Sequence, residues 1–205
     1  KKIDVYRGHQ IDVVERIYYA SLNYELSHIL YITADNPFFD IFYAKKILKK
    51  LIKNNFDLIR AFNLPYGAFC YGIKVSSLKK ILEIKAIRES TNWERYFTET
   101  GQFNVHDLKI KNKNHRWSRL RLTLDYLEDL RFLRLIFKKL SKKNIYFNLK
   151  EIIPYLKKNP DLLKINQFLT DTYLRKYNKE TKLVLKKNIK LKKRYKNFID
   201  FLKWI

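Results

Sequence analysis

The chain has 205 residues, enough for one domain with a sizeable core, or for one domain and a tail. Its 46% hydrophobic and 16% aromatic content argues against a disordered basic protein, and no apolar run reaches membrane-spanning length. A formal charge of +24 brings phosphate-bearing partners into view, but abundant Lys, Ile, Asn and Tyr beside four Gly read more simply as the imprint of an AT-biased genome. Cys70 is the sole cysteine, so an internal disulfide is excluded. It reads as a small core residue of a cytoplasmic protein in a reducing compartment. There is no signal-peptide pattern and no Met, and the chain is read as having lost its beginning.

In chain order, residues 2–6 are predicted as a strand ended by Arg7-Gly8. Residues 12–26 follow as a helix burying Val13, Val14, Ile17, Tyr18 and Leu22. Residues 28–33 read as a buried strand, Asp35-Asn36-Pro37 as a joint, and about 40–51 as an amphipathic helix. Residues 56–60 and 68–75 are further strands around the turn at Asn63-Leu64-Pro65-Tyr66-Gly67. Ser76 or Ser77 is expected to cap the helix containing Leu78, Ile81 and Leu82. Residues 104–110 read as a strand and 111–115 as a basic loop.

In residues 119–124, Leu120, Leu122 and Leu124 alternate with Arg119, Arg121 and Thr123, the period of a strand. Leu130, Leu133, Phe137 and Leu140 then follow helical spacing, with Glu128 and Asp129 in the first turn. Asn148 with Glu151 has capping-box spacing, Pro154 is expected to shorten or kink that helix, and Pro160 suits the first position of the next.

Asp35 and Asp125 therefore occupy equivalent strand–Asp–helix joints. On one parallel sheet they would converge above its carboxyl edge, where open α/β sheets hold ligands. Two carboxylates completed by phosphate oxygens suit Mg²⁺. The plainer alternative is that each Asp is a helix cap or turn residue. His9, His28, His106 and His115 have no zinc-ligand spacing among themselves or with Cys70.

Ile32-Thr33-Ala34-Asp35-Asn36-Pro37 resembles the "ITxDxP" segment of the nucleotide-sugar cytidylyltransferases, nearest the spore coat polysaccharide biosynthesis protein F branch, which is related to the CMP-Kdo and CMP-sialate synthetases. Arg121-Leu122-Thr123-Leu124-Asp125-Tyr126-Leu127-Glu128-Asp129-Leu130 resembles "RxTxDxPEDL", and Asn159-Pro160-Asp161-Leu162-Leu163-Lys164-Ile165-Asn166 resembles "NPELxxIN". Arg7-Gly8 with Asp12, Val13 and Arg16 resembles "RG…DVxxR". The four matches come in family order and cover about residues 3–167.

The resemblance implies an α/β, three-layer Rossmann-like nucleotidyltransferase fold (that of the nucleotide-diphospho-sugar transferases) with a mostly parallel sheet, truncated at its N-terminus, over residues 1–167. Residues 168–205 would form a basic helical C-terminal extension. It implies transfer of CMP from CTP to a sugar acid or modified sugar in polysaccharide biosynthesis, with pyrophosphate released. Asp35 and Asp125 would be the catalytic metal ligands for Mg²⁺ or Mn²⁺, and Pro65, Gly67, Glu94 and Arg7 would bind substrate.

Three departures bear on activity. The Gly-, Arg- and Lys-bearing loop with which the family cradles the triphosphate has no match within this chain, so the chain alone is expected to turn over poorly. Tyr71 stands where the family often has glutamate, and Leu127 replaces the proline of "DxPEDL". The competing readings are a catalytically inactive, family-like partner subunit, a metal-independent structural or carbohydrate-binding module, and a basic nucleic-acid-binding protein. Residues 171–205 hold 12 Lys or Arg against 3 acidic residues, which reads as a solvated charged face with only weak, sequence-independent nucleic-acid binding. Their apolar end, from Phe198 to Ile205, is expected to pack on the body or on another subunit, as in a homodimer.

Overall fold

The computed structural model describes residues 3–88, 93–180 and 183–187. Four short strands form one sheet: β1 (His28–Tyr31), β2 (Leu58–Arg60), β3 (Tyr71–Lys74) and β4 (Val105–Asp107), in the order β1-β3-β2-β4. β3 runs antiparallel to both β1 and β2, and only β2–β4 is parallel. The sheet is thus mixed, not mostly parallel as expected. After the helix that follows β1, β2 comes back into the sheet two places away, and the 61–70 loop then turns the chain into β3 between them, against the direction of both.

Neighbouring strand residues feed separate cores, as the two-residue strand period requires. Leu30 and Ile59 join one core with α2 (Ile41–Lys53), α5 (Leu127–Leu140) and α6 (Leu149–Lys158). Ile29, Leu58 and Ile73 join the other with α1 (Val13–Asn23), α3 (Val75–Ile84) and α4 (Glu94–Glu99). Gly72 lies between them. A Cβ there would meet Ile47 Cγ2 at 2.5 Å, so glycine lets α2 lie directly on β3.

Carboxylates and amides set the helix starts. Asp12 accepts from the Glu15 amide at 3.1 Å and caps α1. Buried Asp40 accepts from the amides of Phe42 (2.9 Å) and Tyr43 (3.3 Å) with Oδ1 and from the Leu149 amide (3.1 Å) with Oδ2, joining the starts of α2 and α6. Asn148 and Glu151 form the anticipated capping box, in which the Asn148 amide donates to Glu151 Oε2 at 2.9 Å, and Asn148 Oδ1 also accepts from the Lys150 amide at 2.9 Å. α6 is not cut short at Pro154 but runs through it. That proline is exposed, so the carbonyl one turn earlier, deprived of its N–H partner, faces water.

Other local expectations change as well. Residues 3–9 form no strand, and Ile3 and Val5 are 82% and 73% exposed. Alternating apolar residues make a strand only against a partner, and none of the described residues pairs with this segment. Residues 119–124 form no strand of the sheet, and Arg121 makes only an isolated parallel bridge with Tyr66 of the 61–70 loop. α3 starts at Val75 without a side-chain cap, because the Ser77 hydroxyl donates to Asp57 instead. Pro160 opens a 3₁₀ helix, Pro160–Ile165.

The basic extension begins as the helix α7 (Leu169–Glu180). Residues 183–187 then return as an extended segment. The Ala86 amide donates to Val184 O at 3.0 Å and the Lys186 amide to Ile84 O at 3.1 Å, while Leu183 and Leu185 pack on the second core. The expected apolar end, Phe198 to Ile205, lies outside the described residues. Cys70 is buried and its thiol pKa is pushed up to about 12 by desolvation, which suits a core residue. Among the described residues no helix is long and apolar enough to cross a membrane.

Candidate active site

The site is built outward from a buried ion pair. Arg121 and Asp129 are 1% and 0% exposed, and the guanidinium meets the carboxylate through Nε and Nη2, each at 2.8 Å. Asp129 accepts three further bonds: from Asn166 Nδ2 at 2.9 Å, and from the amides of Asp125 and Tyr126 at 3.0 Å each. Burial alone would raise the Asp129 pKa, but these donors hold it below the ordinary carboxylate value. A buried charge with its lone pairs filled in this way is a fixed point.

Asp125 is what this fixed point presents. Its backbone amide is held by Asp129, and its Oδ2 accepts from Arg121 Nη2 at 2.6 Å. Its pKa is raised, first by burial and further by the negative charge of Asp35, against the lowering pull of Arg121. The two aspartates at the matched joints therefore face one another electrostatically. Their backbones are stitched together too, since the Leu124 amide donates to Asp35 O at 2.8 Å.

Neither aspartate caps a helix. Asp40 caps α2, and Asp129 takes the Tyr126 amide at the start of α5. Among the described residues, Asp35 Oδ1 and Asn36 Oδ1 are buried without a hydrogen-bond partner. Two orphaned oxygens beside a second carboxylate fit a hard cation, for which oxygen ligands are preferred. Among the described residues, no three His, Cys, Asp or Glu side chains gather tightly enough to cage a metal.

The wall next to the aspartates is aromatic. Gly67 has φ +90°, and a Cβ there would lie 2.6 Å from the carbonyl carbon of Leu122 and the amide of Thr123. Glycine therefore lets the turn press against residues 122–123. The Tyr66 amide donates to Leu120 O (2.9 Å), and Tyr66 O accepts from the Leu122 amide (2.7 Å). Pro65 and Gly67 are buried and shape the turn, while Tyr66 supplies its polar tip. That tip donates to Tyr173 Oη on α7 at 2.6 Å. Burial raises the pKa of both phenols, so both stay protonated.

Trp93 stacks edgewise on Tyr31 and Tyr71, with ring centroids 5.3 and 4.9 Å apart. Glu94 follows it as the first residue of α4 and interacts electrostatically with Tyr31, Tyr71 and Tyr173. Tyr173 feels the negative charge of both Asp125 and Glu94, and Tyr31 that of both Asp35 and Glu94. Arg7 lies exposed on the irregular N-terminal segment, and no described contact brings it to this group. A separate surface cavity of about 340 Å³, beside the buried Asp12–Lys85 pair, includes none of these residues.

The sequence placed Asp129 in the first turn of its helix and Arg121 within reach of phosphates, but did not join either to the other or to Asn166. The signal was present: a carboxylate and an amide at fixed places in two motifs, with an arginine on the strand. Tyr173 carried no such signal.

No protein-family model matches the chain. Its fold is similar to that of a cytidylyltransferase from Leptospira borgpetersenii serovar Hardjo-bovis, with a TM-score of 0.67 and 21% identity, covering 77% of this chain and 67% of that one. The uncharacterized protein MJ1063 of Methanocaldococcus jannaschii is 30% identical over 168 residues, which are 80% of this chain and 67% of that protein. The chain thus spans about two thirds of each. With an α/β fold like that of a cytidylyltransferase and this extent of identity, the chain belongs to the same family as MJ1063.

Proposed function

We propose that the edge formed by Asp35 and Asp125 is the catalytic centre of a nucleotidyltransferase. The reaction is transfer of CMP from CTP to a sugar acid or modified sugar of a cell-surface polysaccharide pathway. The observation that carries this reading is the pairing of a clamped Asp125 with an Asp35 whose Oδ1 is buried and unpartnered. Asp35 and Asp125 are the residues that would hold Mg²⁺ or Mn²⁺. When bound, such an ion supplies positive charge against the triphosphate.

The remaining chemistry is positioning. An acceptor oxygen bonds to the α-phosphorus, the bond from that phosphorus to the β-bridging oxygen breaks, pyrophosphate leaves, and the acceptor proton passes to water. No protein nucleophile is needed, so the residues act by orientation. The Arg121–Asp129–Asn166 cluster fixes Asp125. Tyr66 and Tyr173 close one side against water. Glu94 accepts a hydrogen bond from an acceptor hydroxyl.

The test is Mn²⁺ binding by the purified chain with CTP, followed by electron paramagnetic resonance, together with pyrophosphate release. Wild type should bind Mn²⁺, and Asp35→Asn and Asp125→Asn should each lose at least about tenfold in affinity. Equal affinity in all three proteins would refute the shared site. Binding without turnover would favour the second reading, an inactive partner subunit. The buried phenol of Tyr71 at a position where the resembled family often carries a carboxylate supports that alternative.

A further inference from the structure

We propose that the protein carries a peripheral membrane-binding surface whose partner is an anionic phospholipid bilayer. The surface lies where α5 ends, the 141–148 loop turns and α2 begins. It uses none of the residues of the carboxylate edge, so it stands independently of the nucleotidyltransferase reading.

Phe147 gathers three segments there. Its ring packs on Phe38 and Phe137, with centroids 5.1 and 6.0 Å apart, and the Leu149 amide donates to Asp40 Oδ2 at 3.1 Å. The first turn of α2 and the last turn of α5 are thereby held beside one loop. Inside this framework the side chains are buried, but its outer residues are not. Tyr146 is 78% exposed, Ile145 62%, Phe42 53%, Ile41 50% and Phe137 47%. The Tyr146 amide donates to Asn144 Oδ1 at 2.9 Å, a local turn that shapes the loop tip carrying Ile145 and Tyr146.

The same segments carry charge of one sign. Residues 130–150 hold seven Lys or Arg and no acidic residue, and residues 41–56 hold five Lys and none. Lys45, Lys46, Lys138, Lys139, Lys142 and Lys143 are exposed around the apolar residues, and Lys46 Nζ lies 4.1 Å from the Phe42 ring centre. The nearest carboxylates in sequence are already used: Asp40 is buried on three amides, and Glu151 accepts from the Asn148 amide. A compositional bias supplies lysine, isoleucine and tyrosine throughout the chain. It does not decide which of them the fold leaves in water together.

Charge complementarity calls for an anionic partner, and the apolar tips select a lipid surface. Ile41 and Ile145 have no ring to stack on a nucleic-acid base, but they leave water at the headgroup–acyl boundary. Tyr146 combines a ring with a hydroxyl, which suits a membrane interface. Lysine stems lie along apolar surface while their ammonium groups reach lipid phosphates. A second copy docked face to face would set lysines against lysines. The Asp125 joint stands at the other end of α5, about 15 Å along the helix axis from Phe137.

Co-sedimentation of the full chain with vesicles tests this, using phosphatidylcholine alone and an equal mixture of phosphatidylcholine and phosphatidylglycerol. The mixed vesicles should bind about tenfold or more tightly than the neutral ones, and added salt should weaken that binding. Lys142→Gln with Lys143→Gln should lose about tenfold or more in affinity, and Ile145→Ser with Tyr146→Ser about threefold or more. All four positions are exposed, and circular dichroism checks that both proteins keep the wild-type fold. Lys79→Gln with Lys80→Gln, on exposed positions of α3, removes the same charge elsewhere and should change binding much less. No binding to the mixed vesicles, or equal binding to both kinds, would overturn the proposal. Full affinity in both loop variants, or an equal loss in the α3 variant, would overturn the assignment to this surface. Binding of a single-stranded RNA homopolymer in place of vesicles would reassign the surface to nucleic acid. Self-association of the chain that the Ile145→Ser, Tyr146→Ser protein loses would reassign it to a second copy.

Discussion

The joints at Asp125 and Asp35 look alike in sequence, yet their surroundings are opposite. Asp125 is held by Arg121 and, through its amide, by Asp129. Asp35 has its backbone oxygen fixed by Leu124 N and Thr123 Oγ1, while its Oδ1 is buried without a partner among the described residues. One carboxylate is fixed by the fold, and the other is left for something the fold does not supply. Stability and ligand binding should therefore separate cleanly between the two joints.

The largest effect is expected at the anchor of the Asp125 joint. Asp129→Asn would turn an amide NH₂ toward donors and leave the Arg121 charge without its main partner. The cost should be about 3–5 kcal/mol, as for other broken buried ion pairs, read as a shift in the urea unfolding midpoint. A loss below about 1 kcal/mol would show that the cluster is not the anchor described.

Gly67→Ala comes next. It places a Cβ against the Leu122–Thr123 backbone at a positive φ, for about 1–3 kcal/mol of destabilisation in the same assay. Because Gly67 presses on residues 122–123, sugar binding should weaken along with stability. Unchanged sugar affinity would uncouple the turn from the site.

A smaller, pH-dependent effect belongs to α2, which Asp40 caps. His115 is buried against Tyr43 of α2, its Nδ1 2.9 Å from the phenol oxygen. Desolvation lowers its pKa from the ordinary 6.5, only partly countered by Asp40. The neutral form is thus the one that the folded state favours. Its full contribution is present above the unfolded value and declines as pH falls below about 6.5 toward the lowered folded value. Thermal melts from pH 8 to 5 should show this slope in wild type and a shallower one in His115→Gln. Identical slopes would remove His115 from the account.

The smallest stability change is expected for Asp35→Asn, within about 0.5 kcal/mol, because no hydrogen bond to Oδ1 is lost. The same variant should show the largest loss of Mn²⁺ binding. A destabilisation approaching that of Asp129→Asn would mean that Asp35 is structural, and the contrast between the joints would fail.

Much of this was legible locally. The faces of α1, α2, α5 and α6 follow from three-and-four spacing, and the Asn148–Glu151 cap from its interval, because each depends on neighbours within a turn or two. The matched positions of Asp35 and Asp125 were readable for the same reason. Strand direction was not: His28–Tyr31 has the same composition whichever way its partner runs, and the return path of the chain decided it.

The alternation over residues 119–124 misled in a similar way. Arg121, a polar member of that alternation, is buried because its side chain is paired with Asp129, 8 residues away, while its backbone oxygen accepts from Asn166, 45 residues away. The Tyr66–Tyr173 bond spans 107 residues and left no trace in either local stretch. Sequence by itself determined the helices and the two carboxylates at their joints, since turn-scale hydrogen bonds and apolar faces are local properties. Tertiary structure alone decided which carboxylate is clamped, which is open and what covers them, because a buried charge or phenol is stable only where distant parts of the chain bring it a partner.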